Sequence, residues 1–335
     1  MKKLLSILVA IALATAAYSA DVRGTWKASG LPVPPGPANV PRPSGTPGDV
    51  TVLNWAGFKA AASYTFDDAL SSQLQHYAEM QALGVPFTFY MWTGMPTASD
   101  PRWATVVKDG HELGNHTTTH GSNHTVEDID AATEFIKSKW GVTPWTMAAP
   151  GGSGRYTTLA KGRFFINRGT KTFIVLPNDQ TDPLALPCYQ AETGAAATAY
   201  NEQLDSARDA GGWRIVLIHG FTGGNDRAWK PVPIESFIGT VKYAQSFGDV
   251  WIDRVDTIGA YWLGQKLFAG ATSTTAGTET TWKWTLPEKF PPGKFLRVTV
   301  TGGTLKQSGK ELPWDSHGYY EIALDAGSVT LSPSR

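Results

Sequence analysis

The chain has 335 residues, 41% of them apolar, and its 29 basic side chains balance 29 acidic ones. That length allows one large domain, or one large and one small. Zero formal charge provides no field to attract nucleic acid or an anionic membrane surface. The single cysteine, Cys188, excludes an intramolecular disulfide framework. Thirteen tryptophans are many for this length. Their flat rings suit stacking on sugar faces, although packing accounts for most of them.

Residues 1–20 read as a bacterial secretory leader. Lys2 and Lys3 form the charged start, 4–17 is an apolar run too short to span a bilayer, and Ser19 and Ala20 offer small residues for cleavage. The expectation is a secreted or periplasmic protein, free of the membrane after cleavage. Residues 21–49 are rich in Pro and Gly and read as an extended lead-in.

From Val50 the pattern alternates. Strands are expected at 59–65, 87–92, 171–176, 213–219 and 249–253, and helices at 71–83, 103–107, 126–140, 197–210, 233–246 and 255–267. Such alternation predicts an α/β domain with a parallel sheet or barrel over 50–268, its chemistry gathered at the carboxyl ends of the strands. After a Ser/Thr/Gly-rich stretch at 272–281, short alternating runs at 281–286, 295–301, 319–324 and 328–331 predict a small β-rich accessory module over 275–335.

Three segments carry chemistry. His116-Thr117-Thr118-Thr119-His120 places two imidazoles four residues apart. On a helical turn they share one face and can chelate one metal ion. Asp67-Asp68 ends the first strand, and His219 ends a later one. A metal-assisted hydrolase needs about three protein ligands, an open position, and a base or acid nearby.

In order and spacing, Thr65-Phe66-Asp67-Asp68, His116-Thr117-Thr118-Thr119-His120 and Leu217-Ile218-His219 resemble the motifs of the polysaccharide deacetylases, carbohydrate esterase family 4. Gly110-His111-Glu112-Leu113-Gly114-Asn115 resembles that family's lead-in to its histidines. The resemblance covers roughly 50–264. It implies a distorted (β/α) barrel, one divalent metal (most commonly zinc, with cobalt or nickel as alternatives), and hydrolysis of acetyl groups on a polysaccharide or oligosaccharide. It assigns Asp68, His116 and His120 as metal ligands, Asp67 as general base and His219 as general acid. Thr117 is placed to hydrogen-bond behind the ligands.

The chain departs from the family pattern in two places. The slot of an Arg-x-Pro-Tyr-Gly motif is filled by Ala148-Ala149-Pro150-Gly151-Gly152. The Gly151 N–H remains as an oxyanion donor, and Arg168 is the candidate to replace the missing cation beside the base. No motif identifies a partner for His219. Trp92 and Tyr156 are candidate substrate contacts. Composition favours O-acetyl xylan over N-acetylglucosamine polymers such as chitin. The alternatives are a noncatalytic carbohydrate-binding protein on the same fold, or a peptidoglycan deacetylase or amidase.

Overall fold

The computed structural model describes residues 29–121 and 124–334, so the leader expected at 1–20 lies outside the described residues. Strand β1 spans Val50–Val52. The first barrel strand, β2, is Ala60–Asp67, and all eight of its residues are buried. Such a run suits a parallel strand covered on both faces. Its alternate residues divide between two environments. Ala62, Tyr64 and Phe66 pack outward into a core shared with Phe89, Phe237 and Val241. Ser63 and Thr65 face the other way, where Ser63 Oγ bonds Asp253 O and Thr65 Oγ1 bonds Val216 O. By the same period-two rule Asp67 points with them into the barrel.

The remaining parallel strands are β3 (Thr88–Met91), β4 (Glu112–Asn115), β5 (Thr146–Ala148), β6 (Ile166–Arg168), β7 (Trp213–Ile218) and β8 (Val250–Ile252). Their order is β6-β5-β4-β3-β2-β7, with β8 also pairing β2. The sheet is curled into a half-barrel and flanked by helices. The largest of these, α4 (Val126–Trp140), α6 (Ala197–Ala210), α7 (Ile234–Ser246) and α8 (Val255–Ala269), lie within about two residues of the sequence prediction, as does α3 (Trp103–Lys108). α4 has a capped start and stop, because Thr125 Oγ1 accepts from Asp128 N and Gly141 takes φ +70°. The single helix expected at 71–83 is two short pieces, α1 (Ser71–Gln75) and α2 (Tyr77–Gln81). Between them His76 relaxes to φ −96°, ψ 12°, where its ring meets Phe221 edge-on and bonds Glu79. α5 (Arg155–Leu159) is a single turn or so.

The strand expected at 171–176 does not form. Only Val175 bridges Trp213, antiparallel. The gap between β6 and β7 is instead closed by the segment 186–190, which bridges Arg168 through Leu186 and Val216 through Tyr189. Leu186 N donates to Asn167 O at 3.0 Å and Leu217 N to Tyr189 O at 2.8 Å. Leu186-Pro187-Cys188-Tyr189-Gln190 has no strand periodicity, and its Pro cannot donate to a ladder.

The C-terminal part forms two antiparallel sheets. One has the order β1-β11-β15-β14, using Phe295–Val300, Tyr319–Ala323 and Trp314–Asp315 as β11, β15 and β14. The other has the order β13-β12-β16-β10-β9: Lys310–Glu311, Thr304–Gln307, Ser328–Ser332, Glu279–Lys283 and Thr272–Ala276. The polar stretch at 272–281 is thus mostly a hairpin, with Gly277 (φ +61°) in its turn. Two features join this part to the barrel. β1 pairs with β11, and one apolar core runs from Trp213, Ile258 and Trp262 to Leu296, Val298, Leu324 and Leu331. The described part of the Pro/Gly lead-in follows the same surface. Buried Arg297 donates to the carbonyls of Leu31, Pro32 and Ala56, and Val40 N bonds Ser316 O.

Candidate active site

The carboxyl ends of β2, β4, β6 and β7 bring the candidate residues together. Past Asp67 the chain turns sharply, with Asp68 at φ +74° and Ala69 at φ +54°. This left-handed step, unusual for residues with a Cβ, sends adjacent carboxylates to different neighbours. Asp68 faces His116 and His120. Asp67 faces Arg168.

His116 and His120 do not lie on a helix. They stand on a bend beyond β4, in which Thr117 and His120 take φ +62° and +51°. The rings still converge, with centroids 5.0 Å apart. What replaces the helix is a set of hydrogen bonds from α4 and the β3 loop. Asp128 Oδ1 accepts from the N–H groups of Thr118 and Thr119, at 3.2 and 2.9 Å, and its Oδ2 accepts from Thr119 Oγ1 at 2.8 Å. Asn115 bonds Ile129 O and Thr133 Oγ1 on α4 and accepts from Thr117 N. Thr117 Oγ1 accepts from His120 N at 3.0 Å. At Gly94 any Cβ would lie 2.2 Å from the Thr118 carbonyl oxygen, so this close approach requires glycine.

The donors suit a small divalent cation. Asp68 Oδ1 is buried and has no hydrogen-bond partner. It lies 3.4 Å from His116 Nε2 and 3.3 Å from His120 Nε2, and the three ligand atoms lie within 4.8 Å of one another. Ligand bonds of about 2.0–2.1 Å in a tetrahedron put neighbouring donors about 3.3–3.4 Å apart. His116 Nδ1 is 2.9 Å from Ala148 O, so Nδ1–H donates there and leaves Nε2 free as a ligand. Burial opposes the charge on Asp68, but the facing His116 and His120 imidazoles hold its carboxyl well below the usual range. Burial would lower His116, yet Asp67 and Asp68 outweigh it and raise it. Carboxylates that draw a proton to an imidazole would also draw a metal ion in its place.

Asp67 is 2% exposed and Arg168 is fully buried. Arg168 Nη2 donates to both carboxylate oxygens, one contact being 2.5 Å. The guanidinium also lies 5.3 Å over the Tyr90 ring. Burial disfavours its charge, but facing Asp67 raises its pKa further. A cation thus reaches Asp67 from β6, one strand further along the sheet than the 148–152 segment.

His219 stands across the site, its Nε2 4.0 Å from Asp68 Oδ2. Its Nδ1 is 2.9 Å from the Gln190 side-chain amide, on the irregular segment that closes the barrel. Gln73 Nε2 donates to both Asp67 O and His219 O, at 2.6 Å each, and so ties the two strand ends together. Burial lowers the His219 pKa, opposed by Asp67 and Asp68. Gln190, Gln73 and Asp128 carried no motif in the sequence.

Gly151 sits in a short turn at φ +59°, and its Cβ direction meets open space. The two aromatic candidates differ from expectation. Tyr156 is fully buried and packs against His124, centroids 5.2 Å apart, so substrate cannot reach its ring without rearrangement. Trp92 stacks on His120 at 4.4 Å and donates to Thr118 O at 2.8 Å. One face of its ring is thereby covered, and it buttresses the histidine loop.

Residues 58–164 match the family model described as polysaccharide deacetylase, a stretch that includes Asp67, Asp68, His116 and His120 but ends before Arg168 and His219. A gellan lyase from Bacillus sp is 33% identical over 141 residues, which are 39% of this chain and 6% of that protein. The chain thus matches only a small fraction of that relative's length. Among solved structures, a putative polysaccharide deacetylase from Mycobacterium smegmatis superposes with a TM-score of 0.50 at 19% identity, covering 73% of this chain and all of that one. A family 4 acetyl xylan esterase from Clostridium thermocellum, solved with a cobalt ion, gives a TM-score of 0.42 at 16% identity over 61% and 91%. The M. smegmatis likeness shows the fold, and residues 58–164 are similar to the polysaccharide deacetylase family model.

Proposed function

We propose that the protein is a secreted, metal-dependent hydrolase that removes acetyl groups from a polysaccharide or oligosaccharide. The observation that carries this reading is the pairing of a three-donor cluster, Asp68–His116–His120, with a separate acid–base pair, Asp67 and His219, at one barrel mouth. A divalent ion held by the three donors would polarise the acetyl carbonyl and acidify the attacking water. Zinc is the best fit to a site of two imidazoles and one carboxylate.

In this reading Asp67 Oδ2, 3.7 Å from His116 Nε2, borders the cluster and takes the proton of the water. Arg168 balances the buried carboxylate charge and fixes its orientation through two hydrogen bonds. The Gly151 N–H is the chain's donor to the developing oxyanion. His219 delivers a proton to the departing sugar oxygen or nitrogen, with Gln190 fixing its ring from the far nitrogen. A purely binding protein on this fold needs neither a base with a dedicated arginine nor a facing histidine. The uncharged, tryptophan-rich composition favours O-acetylated xylan, with chitin-like N-acetyl polymers next.

Acetate release from acetylated xylan and from chito-oligosaccharides, measured side by side with Asp67→Asn as blank, tests the reading. Release abolished by the substitution is the expected result. No release from either polymer or from peptidoglycan, by a folded and metal-loaded protein, would favour the binding-protein alternative.

A further inference from the structure

His219 is followed by a loop, residues 219–233, that leaves the end of β7 and returns into α7. The loop is tied down on three sides. At its base Phe221 and Val232 form a bridge, with Thr222 N donating to Val232 O at 2.9 Å and Val232 N to Gly220 O at 3.2 Å. On one flank Asp226 accepts from Ser72 N at 2.7 Å and Ser71 Oγ at 3.4 Å, at the start of the helix that follows Asp67-Asp68. On the other flank Lys230 pairs with Glu192 at 2.7 Å, and Gly194 N donates to Pro231 O at 2.9 Å. Those partners follow directly on Gln190.

Near the loop's return stands Trp229, 63% exposed, the one exposed tryptophan among the described residues. The backbone at Arg227 and Lys230, on either side of it, is left-handed, at φ +55° and +46°. That conformation is unfavourable for a residue with a Cβ and persists only where surrounding contacts impose it. Ala228 packs tightly on the residue after His219: a Cβ built on Gly220 would lie 2.8 Å from that of Ala228. With successive Cα atoms 3.8 Å apart, Trp229 Cα stands within about 10 Å of Gly220 Cα. An exposed apolar side chain on its own is ordinary. Here the protein fixes the loop by contacts on three sides and accepts two unfavourable backbone residues, and it still leaves the indole in water on the loop that directly follows His219.

We propose that Trp229 is a stacking platform for a sugar ring of the substrate chain, beyond the unit that loses its acetyl group. The proposal rests on the deacetylase reading for its choice of ligand. A flat, rigid side chain offers a large contact at small entropic cost. A pyranose presents a matching flat C–H face, and a neutral polymer suits a chain without net charge. The platform would make the enzyme prefer oligomers to a single acetylated unit.

The test compares wild type, Trp229→Ala and Trp229→Phe in three measurements. These are binding of acetylated xylo-oligosaccharides and of chito-oligosaccharides by calorimetry, acetate release from the same oligomers, and hydrolysis of p-nitrophenyl acetate, which is too small to reach the platform. Trp229→Ala should weaken oligomer binding and raise KM about tenfold. The small ester should be cleaved within about twofold of wild type, since a surface substitution leaves the fold intact. Trp229→Phe should recover most of the affinity. Equal oligomer affinity in wild type and Trp229→Ala would overturn the proposal, as would a wild type that binds no oligosaccharide. So would an equal loss on the small ester, which would place Trp229 in the catalytic geometry instead. Trp229-dependent binding without acetate release from any substrate would leave the platform standing and refute the deacetylase reading.

Discussion

Asp67 and Arg168 form a buried ion pair at the candidate site. Both are buried, and each leaves the other's charge without a partner if removed. Arg168→Met is therefore expected to lower kcat by about 100-fold or more. It should also cost on the order of 3–5 kcal/mol of stability in denaturant titration. Asp67→Asn/Arg168→Met should recover much of that stability without recovering activity, because the uncompensated charge is gone but so is the base. Arg163→Met, which breaks an exposed pair with Asp130, should change neither rate nor stability appreciably. Equal effects of the two arginine substitutions would remove Arg168 from the site. The sequence offered Arg168 only as a charge that could fill a gap, and its burial and its Nη2 contact with both Asp67 oxygens were not visible there. Gln190 was invisible altogether, since it sits on a segment that pairs with β6 and β7 through isolated bridges and has no periodicity.

At the scale of elements, the histidine bend depends on α4. Two imidazoles four apart suggest a helical turn, and the structure reaches the same convergence through a bend instead. The reason is the run Thr117-Thr118-Thr119, whose short polar side chains bond locally and compete with helix formation. Asp128, in the first turn of α4, accepts three hydrogen bonds from that bend. Asp128→Ala should weaken metal affinity by about tenfold or more, read by titration against a competing chelator. Asp130→Ala, exposed on the same helix, should leave it unchanged. Long amphipathic helices and the fully buried β2 were legible because their patterns extend over many residues. β4, β5 and β6 span only four, three and three residues, too few to show a period.

On the scale of the whole molecule, the β-rich C-terminal part and the lead-in close over one side of the barrel. Trp213 and Trp262 of the barrel share a core with Leu296, Val298 and Leu331 of the C-terminal sheets. Deleting 275–335 should therefore expose a large apolar surface and give aggregated protein in gel filtration. A soluble, active fragment lacking only polymer binding would instead make that part an independent binding module. The strand texture of this region was legible, but its seam with the barrel was not. β1 precedes the first barrel strand in sequence, yet it pairs with β11 some 250 residues later, and no local pattern encodes so distant a partner.

Asp68, His116 and His120 are expected to hold one divalent ion without which the acetyl group is not cleaved. The most direct test strips the protein with a chelator and measures acetate release as zinc is added back. Activity should be lost on stripping and return linearly to a plateau at about one ion per chain. His116→Ala and His120→Ala should bind no equivalent ion and stay inactive at any zinc concentration. Full activity in the stripped protein, or in either histidine variant, would show that the reaction does not need an ion at Asp68, His116 and His120.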